Sequence, residues 1–397
     1  MCYNNSTMKI LHFADVHVGM ENYGILDAKT GISSRLMDFS KSLEFIATFV
    51  EKHKPDLILF AGDAYKDRHP SPTYQQIFTK PLIRMAKIAP VVMVIGNHDT
   101  PASMGKANTL DIFSTIEHPN IFISRVPEVL KIPIGKNRIE ILTLPWISKS
   151  SFDLKNKIDY VNEIRNIIND KSYGLNPKFP AFFLGHASVE GAVLGSEQNV
   201  MLGSDIVVPL NALVEKKFQY VALGHLHKFQ KLNANPPIVY SGSIEKIDFG
   251  EEKEDKGFVW YDTETKKLDF IKTPARPFKT FQISIGKGDS QEKILKKIRG
   301  QNFKEAIVKI IIQVDEEYAN LISENEIRNE IKDAHLIASI TKEIIKKGQL
   351  KETVNYSNYL TSLNASDTIK EFIKFKKINE KMSRLIQKYA KEIIEEE

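Results

Sequence analysis

Five short apolar runs in this chain end in residue types that hold metal ions. Ile10 to Ala14 runs into Asp15-Val16-His17, Leu57 to Ala61 into Gly62-Asp63, and Val91 to Ile95 into Gly96-Asn97-His98-Asp99. Phe182 to Leu184 leads to Gly185-His186, and Tyr220 to Leu223 to Gly224-His225-Leu226-His227. Carboxylates, imidazoles and one carboxamide, with no thiolate among them, form an oxygen-and-nitrogen donor set. That set suits Mn²⁺, Fe²⁺ or Zn²⁺ better than an all-oxygen calcium or magnesium cage. Seven such ligands overfill one tetrahedral ion and fit two ions that share a carboxylate. In a two-metal site the ions sit about 3.5 to 4 Å apart and clamp the attacking and leaving oxygens of an in-line displacement at phosphorus. Asp63, alone at the end of its run, is the expected bridge. Residues two apart in an extended segment point the same way, so His225 and His227 can reach one site together, one for each metal.

Such residues need elements that bring them to one place. Short β-branched and aromatic runs bounded by glycine read as buried strands, and ligands just past their carboxyl ends converge at one rim of a sheet. Between the runs, Leu36, Phe39, Leu43, Ile46 and Val50 step by three and four and predict a helix packed on that sheet. Pro72 after Ser71 suits a helix start, and Ile77, Phe78, Leu82 and Met85 continue the stripe, with Pro81 expected to kink or divide it. From about Arg138 the texture turns β-rich. Ile139 to Leu144, Ile238 to Ser241, Phe258 to Asp262 and Leu268 to Ile271 read as a second sheet. The expectation is an α/β sandwich of two sheets with outer helices.

Of the ten histidines, five lie in the motifs. A single histidine on an apolar strand is usually a satisfied core residue, but five in register with aspartates and an asparagine are not explained that way. His12, inside the first run, reads as structural, and His53, His118 and His335 as surface or packing residues. The basic loop Lys66-Asp67-Arg68-His69-Pro70 lies beside the rim. Lys66, Arg68 and His69 are therefore candidate substrate contacts, although a solvated charged loop is the commoner outcome.

Taken in order, Asp-x-His, Gly-Asp, Gly-Asn-His-Asp, Gly-His and Gly-His-x-His resemble the calcineurin-like metallophosphoesterase superfamily. More narrowly, the chain resembles the SbcD group, nuclease subunits of a bacterial double-strand-break-repair complex, and their archaeal and eukaryotic meiotic-recombination relatives. The narrowing rests on Gly185 to Glu197, on Tyr240 to Glu251 (Tyr-Ser-Gly-Ser-Ile-Glu-Lys-Ile-Asp-Phe-Gly-Glu) and on the Lys256-Gly-Phe start that follows. The resemblance spans Met8 to the middle 340s and is strongest in the first 260 residues. It implies a four-layer α-β-β-α metallophosphoesterase sandwich, then a small α+β capping domain and C-terminal helices. It assigns Asp15, His17, Asp63 and His227 to one metal, and Asp63, Asn97, His186 and His225 to the other, with manganese the expected ion and Mg, Fe or Zn as alternatives. His98 is implied as the catalytic histidine at the leaving oxygen, with Asp99 holding its ring. Where some relatives carry a further histidine, three residues after Asp63, this chain has Lys66, which can meet a phosphate but cannot shuttle protons at neutral pH. The implied activity is 3′-to-5′ exonuclease action on double-stranded DNA and endonuclease action on single strands and hairpins. The implied partners are DNA, a second copy of the chain and an SbcC-type coiled-coil ATPase. No Gly-x-x-x-x-Gly-Lys loop occurs here, so the ATPase is expected on another chain. The rival readings are a phosphatase or phosphodiesterase of the same superfamily acting on a small or protein substrate, and a non-catalytic scaffold, which the full ligand set disfavours.

At 397 residues the chain is too long for one ordinary core. The expected parts are a polar leader at 1–7, a phosphoesterase domain at 8–275, a capping domain at 276–345, and a linker with partner-binding helices at 346–397. Thr273-Pro274-Ala275-Arg276-Pro277 marks the main boundary. Beyond it the expected elements are strand Thr280 to Ile285, helix Gln291 to Ile298, strand Ala306 to Val314, a helix near Glu324 to Lys332 with Ser323 and Glu326 at capping-box spacing, and strand His335 to Ile340. No run approaches the roughly 18 to 20 apolar residues of a membrane span, and no signal-peptide core opens the chain, so a cytoplasmic protein without membrane contact is expected. Met8 is a second possible start, and the lone Cys2 in the leader supports neither a disulfide nor a metal site. A net charge of +5 permits nucleic acid without arguing for it. In the tail, Phe372, Ile373, Met382, Leu385 and Tyr389 fall on one apolar helical stripe with little sequence left to cover it. Periodicity alone leaves open whether that stripe folds back on the cap. The resemblance implies that it docks on the ATPase coiled coil.

Overall fold

Strands β1 (Lys9–Phe13), β2 (Leu57–Phe60), β3 (Val91–Val94) and β4 (Ile121–Ser124) alternate with helices α1 (Ser34–His53), α2 (Pro72–Ala86) and α3 (Asp111–Thr115) in the computed structural model. That model describes residues 7–101, 106–152, 159–195, 205–214, 217–318, 321, 323–345, 382–383 and 387. The chain continues through β5 (Glu128–Ile134), β6 (Asn137–Leu144), α4 (Tyr160–Tyr173), β7 (Ala181–His186) and the short pair β8 (Ser188–Val189) and β9 (Val207–Val208). There follow α5 (Leu210–Leu213), β10 (Phe218–Gly224), β11 (Gln230–Ala234), β12 (Pro237–Tyr240), β13 (Gly257–Asp262) and β14 (Leu268–Lys272).

Two six-stranded sheets result, ordered β14-β13-β1-β2-β3-β4 and β11-β12-β10-β7-β6-β5. β1 to β4 are mutually parallel. So are β6, β7, β10 and β12. Parallel strands send all their carboxyl ends to the same edge, and this is what brings motifs from distant parts of the sequence together. The apolar runs are continuous because both faces of each strand are covered. One face of the first sheet, with Leu11, Phe13, Ile58 and Phe60, packs against Leu43, Ile46 and Val50 of α1 and Phe78, Leu82 and Met85 of α2. Its other face, with Ile10, Leu57, Leu59 and Val92, meets Ile141, Phe182, Tyr220 and Val239 of the second sheet. Phe183 and Val221 on the far side of that sheet pack on Ile164 and Ile168 of α4. The order is helix, sheet, sheet, helix.

The structure departs from one expectation and narrows another. β13 and β14 belong to the first sheet, not the second: β13 lies antiparallel to β1, with His12 opposite Val259. Their composition suits either sheet, and the returning chain settles the choice by pairing with the free edge of β1. Nor does Pro81 divide α2, which runs unbroken through it. Burying Phe78, Leu82 and Met85 on the sheet outweighs a missing helical bond that costs about 3 kcal/mol.

After Pro277, β15 (Phe278–Ile285), α6 (Gln291–Arg299), β16 (Ile307–Asp315), α7 (Glu324–Glu330) and β17 (Leu336–Ile345) form a three-stranded sheet with two helices. It has its own apolar cluster, including Ile283, Ile294, Ile298, Ile310 and Ile327. The capping box at Ser323 and Glu326 is formed. Arg276 joins this module to α1 through a two-pronged contact with Asp38, at 2.6 and 2.7 Å. His335 Nε2 also meets Ser34 Oγ of α1 at 2.8 Å.

Residues through Ile344 form one compact unit, and Ile345–Glu397 a second. In the second, Met382 is helical and 47% exposed. Phe372, Ile373, Leu385 and Tyr389 lie outside the described residues. Among the described residues no helix is long and apolar enough to cross a membrane.

Candidate metal centre

β1, β2 and β3 of one sheet and β7 and β10 of the other deliver the strand-end motifs to one rim. Chain reversal there is sharp. Asp15, His17, Asp63 and His225 all adopt left-handed backbone, with φ of 51°, 50°, 58° and 99°. Such conformations cost about 1 to 3 kcal/mol each for residues other than glycine and persist where the surroundings impose them. Two of the glycines beside the motifs have a steric reason of their own. A Cβ on Gly96 would lie 2.0 Å from Asp63 Oδ1, and Gly62, at φ 91°, would set one 2.5 Å from His186 Nδ1.

The donor atoms converge. His17 Nε2 and His227 Nε2 are 3.0 Å apart, and Asn97 Oδ1 lies 2.9 Å from His186 Nε2 and 3.1 Å from His225 Nδ1. Asp63 Oδ2 stands between the two groups, 3.6 Å from His17 Nε2 and 3.5 Å from His186 Nε2. Two ligands each about 2.1 Å from a common ion are separated by about 3.0 to 3.4 Å, so these spacings fit the edges of coordination shells. Asp63 is shared by the triples His17-Asp63-His98 and Asp15-Asp63-His186, each with donor atoms within 4.8 Å of one another. The residues therefore fit a pair of divalent ions, and the geometry brings His98 beside the first group.

Charge points the same way. Asp15, His17, Asp63, His186 and His225 are all buried. Burial pushes the Asp15 carboxyl up to about 7, against the pull of His186 and His227. Burial also works to raise Asp63, but His186, His17 and His98 outweigh it and hold that carboxyl well below the usual range. His186 rises to about 9 because Asp63 overcomes the desolvation of its ring. His17 is pushed well below its ordinary value by burial. Anionic groups gathered away from water call for cations. Adding Mn²⁺ at 100 times its Kd should contribute about 2.7 kcal/mol per site to stability. The melting temperature should accordingly rise by several degrees and fall back with EDTA; calorimetry showing no shift would refute a centre formed by the folded chain.

Three of the four candidate ligand histidines are steered by their second nitrogen; the buried Nδ1 of His17 has no hydrogen-bond partner among the described residues. His186 Nδ1 donates to the Ala61 carbonyl at 2.7 Å, His225 Nε2 meets Asp205 Oδ2 at 2.7 Å, and His227 Nδ1 meets Glu251 Oε1 at 2.8 Å. Partners of this kind fix ring orientation and tautomer. Ligand spacing announces neither Asp205 nor Glu251. Glu251 closes the Tyr240 to Glu251 segment that carries the narrower resemblance, so a signal for it does exist in the sequence, whereas no local pattern marks Asp205.

Asp99 does not hold the ring of His98. Its carboxylate accepts the backbone amides of Asp63, Ala64 and Gly96 at 2.9, 3.1 and 3.0 Å, tying the second and third ligand loops together. The His98 ring donates instead through Nδ1 to the Lys66 carbonyl at 2.6 Å. An aspartate one residue on turns away from its neighbour's ring here and meets the amides of the ligand loops. Lys66, Arg68 and His69 are exposed on the adjoining loop. His12 is buried against the Tyr220 hydroxyl at 2.8 Å, in a structural place.

The sequence pattern of the calcineurin-like phosphoesterases matches residues 8–229. The chain belongs to this family. Among its relatives, a Staphylococcus epidermidis protein named as the D subunit of nuclease SbcCD is 28% identical over 305 residues, 74% of this chain and 76% of that one. Its namesake from Staphylococcus saprophyticus is 24% identical over 298 residues, 73% and 74% of the two chains. A solved structure from Thermus thermophilus, that of TT1561, covers 67% of this chain and 99% of its own at 12% identity and a TM-score of 0.39, too distant a likeness to bear on function. Membership of the calcineurin-like phosphoesterases makes the chain a hydrolase of phosphate esters that works with divalent metal ions.

Proposed function

We propose that the protein is a metal-dependent DNA nuclease acting in double-strand-break repair. It trims duplex ends from the 3′ side, cuts single strands and hairpins, and works as a homodimer with an SbcC-type coiled-coil ATPase. The observation that carries the hydrolytic part is the shared position of Asp63 between two groups of donors, all buried except the half-buried His98. The DNA substrate and the ATPase rest on the relatives named for the SbcCD nuclease.

Asp15, His17, Asp63 and His227 would hold one ion, and Asp63, Asn97, His186 and His225 the other. When bound, such ions neutralise the phosphate and activate water, with manganese the best fit to the mixed donor set. His98 donates through Nδ1 to the Lys66 carbonyl, so it is Nε2 of the doubly protonated ring that would pass a proton to the departing sugar oxygen. Asp99 acts through the loops that carry Asp63 and Asn97. Lys66, Arg68 and His69 offer exposed donors and charge beside the rim for the DNA backbone. The test is cleavage of a linear duplex and a single-stranded circle in Mn²⁺, Mg²⁺ and EDTA, beside a small diester. DNA cleavage that needs Mn²⁺ and is stimulated by the ATPase with ATP is expected. Hydrolysis of the small diester alone would return the protein to the general phosphodiesterases.

The tail stripe of Phe372, Ile373, Met382, Leu385 and Tyr389 is assigned to the ATPase, as an amphipathic helix entering an apolar groove. Truncation after Ala365 should leave melting temperature and Mn²⁺-dependent single-strand cleavage intact and abolish ATP-stimulated processing. A truncated chain that unfolds, or that still captures the ATPase at full strength, would place the helix in the protein's own core.

A further inference from the structure

We propose that Glu251 and Lys256 are positioning residues of the metal centre, which together present His227 to its ion through Nε2. The inference rests on the two-metal reading above and extends it to residues that touch no metal.

Glu251 Oε1 lies 2.8 Å from His227 Nδ1, so that nitrogen carries the proton and donates it. Nε2 then keeps its lone pair, 3.0 Å from His17 Nε2. The second oxygen of Glu251 accepts the Ile247 amide at 2.8 Å and faces Lys256 Nζ at 3.0 Å. Lys256 Nζ also donates to the His227 carbonyl at 2.9 Å and to Glu254 Oε2 at 2.9 Å. One ammonium thus grips the backbone of His227 directly and its ring through Glu251. The Glu251 and Lys256 side chains are fully buried. A buried ion pair is a poor way to gain stability, because desolvation consumes most of the attraction and an apolar pair of similar volume often serves as well. Its geometry does serve the ring. A neutral carbonyl, as Ala61 supplies to His186, orients a ligand, whereas a carboxylate also raises the basicity of the opposite nitrogen.

The experiment is Mn²⁺ titration of the metal-free full chain, with free ion read by electron paramagnetic resonance and melting followed in parallel. Glu251→Gln alone leaves the buried Lys256 charge to Glu254 and should lower the melting temperature, while Glu251→Gln with Lys256→Met removes both charges of the pair and should restore most of it. In both variants one of the two Mn²⁺ sites should weaken by about 10- to 100-fold while the other stays within about threefold. If the single variant does not fold, the double variant decides. Natural affinity at both sites in the double variant would make the pair structural only and overturn the inference, as would equal weakening of both sites. An unsubstituted chain that binds fewer than two Mn²⁺ ions would defeat the two-metal reading and this inference with it, a result distinct from two sites indifferent to the substitutions.

Discussion

Replacing Asp63 by asparagine should abolish cleavage. The carboxamide would keep the Oδ1 acceptor that receives the His98 amide at 2.9 Å, so the loop should hold its shape. What disappears is the charge at Oδ2, set between His17 and His186 at 3.6 and 3.5 Å. A ligand common to two ions weakens both when it goes. Loss of several kcal/mol of charge stabilisation corresponds to about 10³-fold in rate or more. Mn²⁺ titration should show both sites weakened together, in contrast to the one-sided effect expected at Glu251. Two ions held at natural affinity, or cleavage at the natural rate, would remove Asp63 from the bridge.

The variant His98→Ala should separate chemistry from binding. His98 is only partly buried, and its Nδ1 is tied to the Lys66 carbonyl. Its ring lies edge-on to that of His17 with centroids 4.8 Å apart, close enough to serve the same phosphate. Metal content and DNA affinity should persist, while turnover falls by roughly 10²-fold or more, the usual contribution of a positioned general acid. Loss of one metal ion in the variant would instead make His98 a ligand, since its donor atom also falls within the His17-Asp63 group. Single-turnover cleavage and metal analysis on the same preparation distinguish the two roles.

Much of this protein was legible in one dimension. Apolar runs closed by a metal-type residue identify both a strand and a candidate ligand, because a strand's end and its rim position are the same place. The α1 stripe from Leu36 to Val50 and the Ser323 capping box are likewise local, since a 3.6-residue period and a three-residue spacing are properties of the segment itself. The strands and helices that follow Pro277 were legible from their own periodicity for the same reason.

Contacts between segments were decided only by the fold. β13 and β14 carry the composition of either sheet, and pairing with β1 alone puts them in the first. Pro81 remains within α2 because the sheet beneath rewards the helix more than the local chain penalises it. Asp99 sits next to the proposed catalytic histidine in sequence but serves amides 35 and 36 residues away. Asp205 meets His225 across 20 residues and Glu251 meets His227 across 24, with no period or spacing to announce either. Sequence by itself determined which residue types could bind metal, since ligand identity is the chemistry of the side chain. Tertiary structure decided which nitrogen His186, His225 and His227 offer and what holds it there. That depends on the single partner brought to the ring's other side, and such a partner can come from anywhere in the chain.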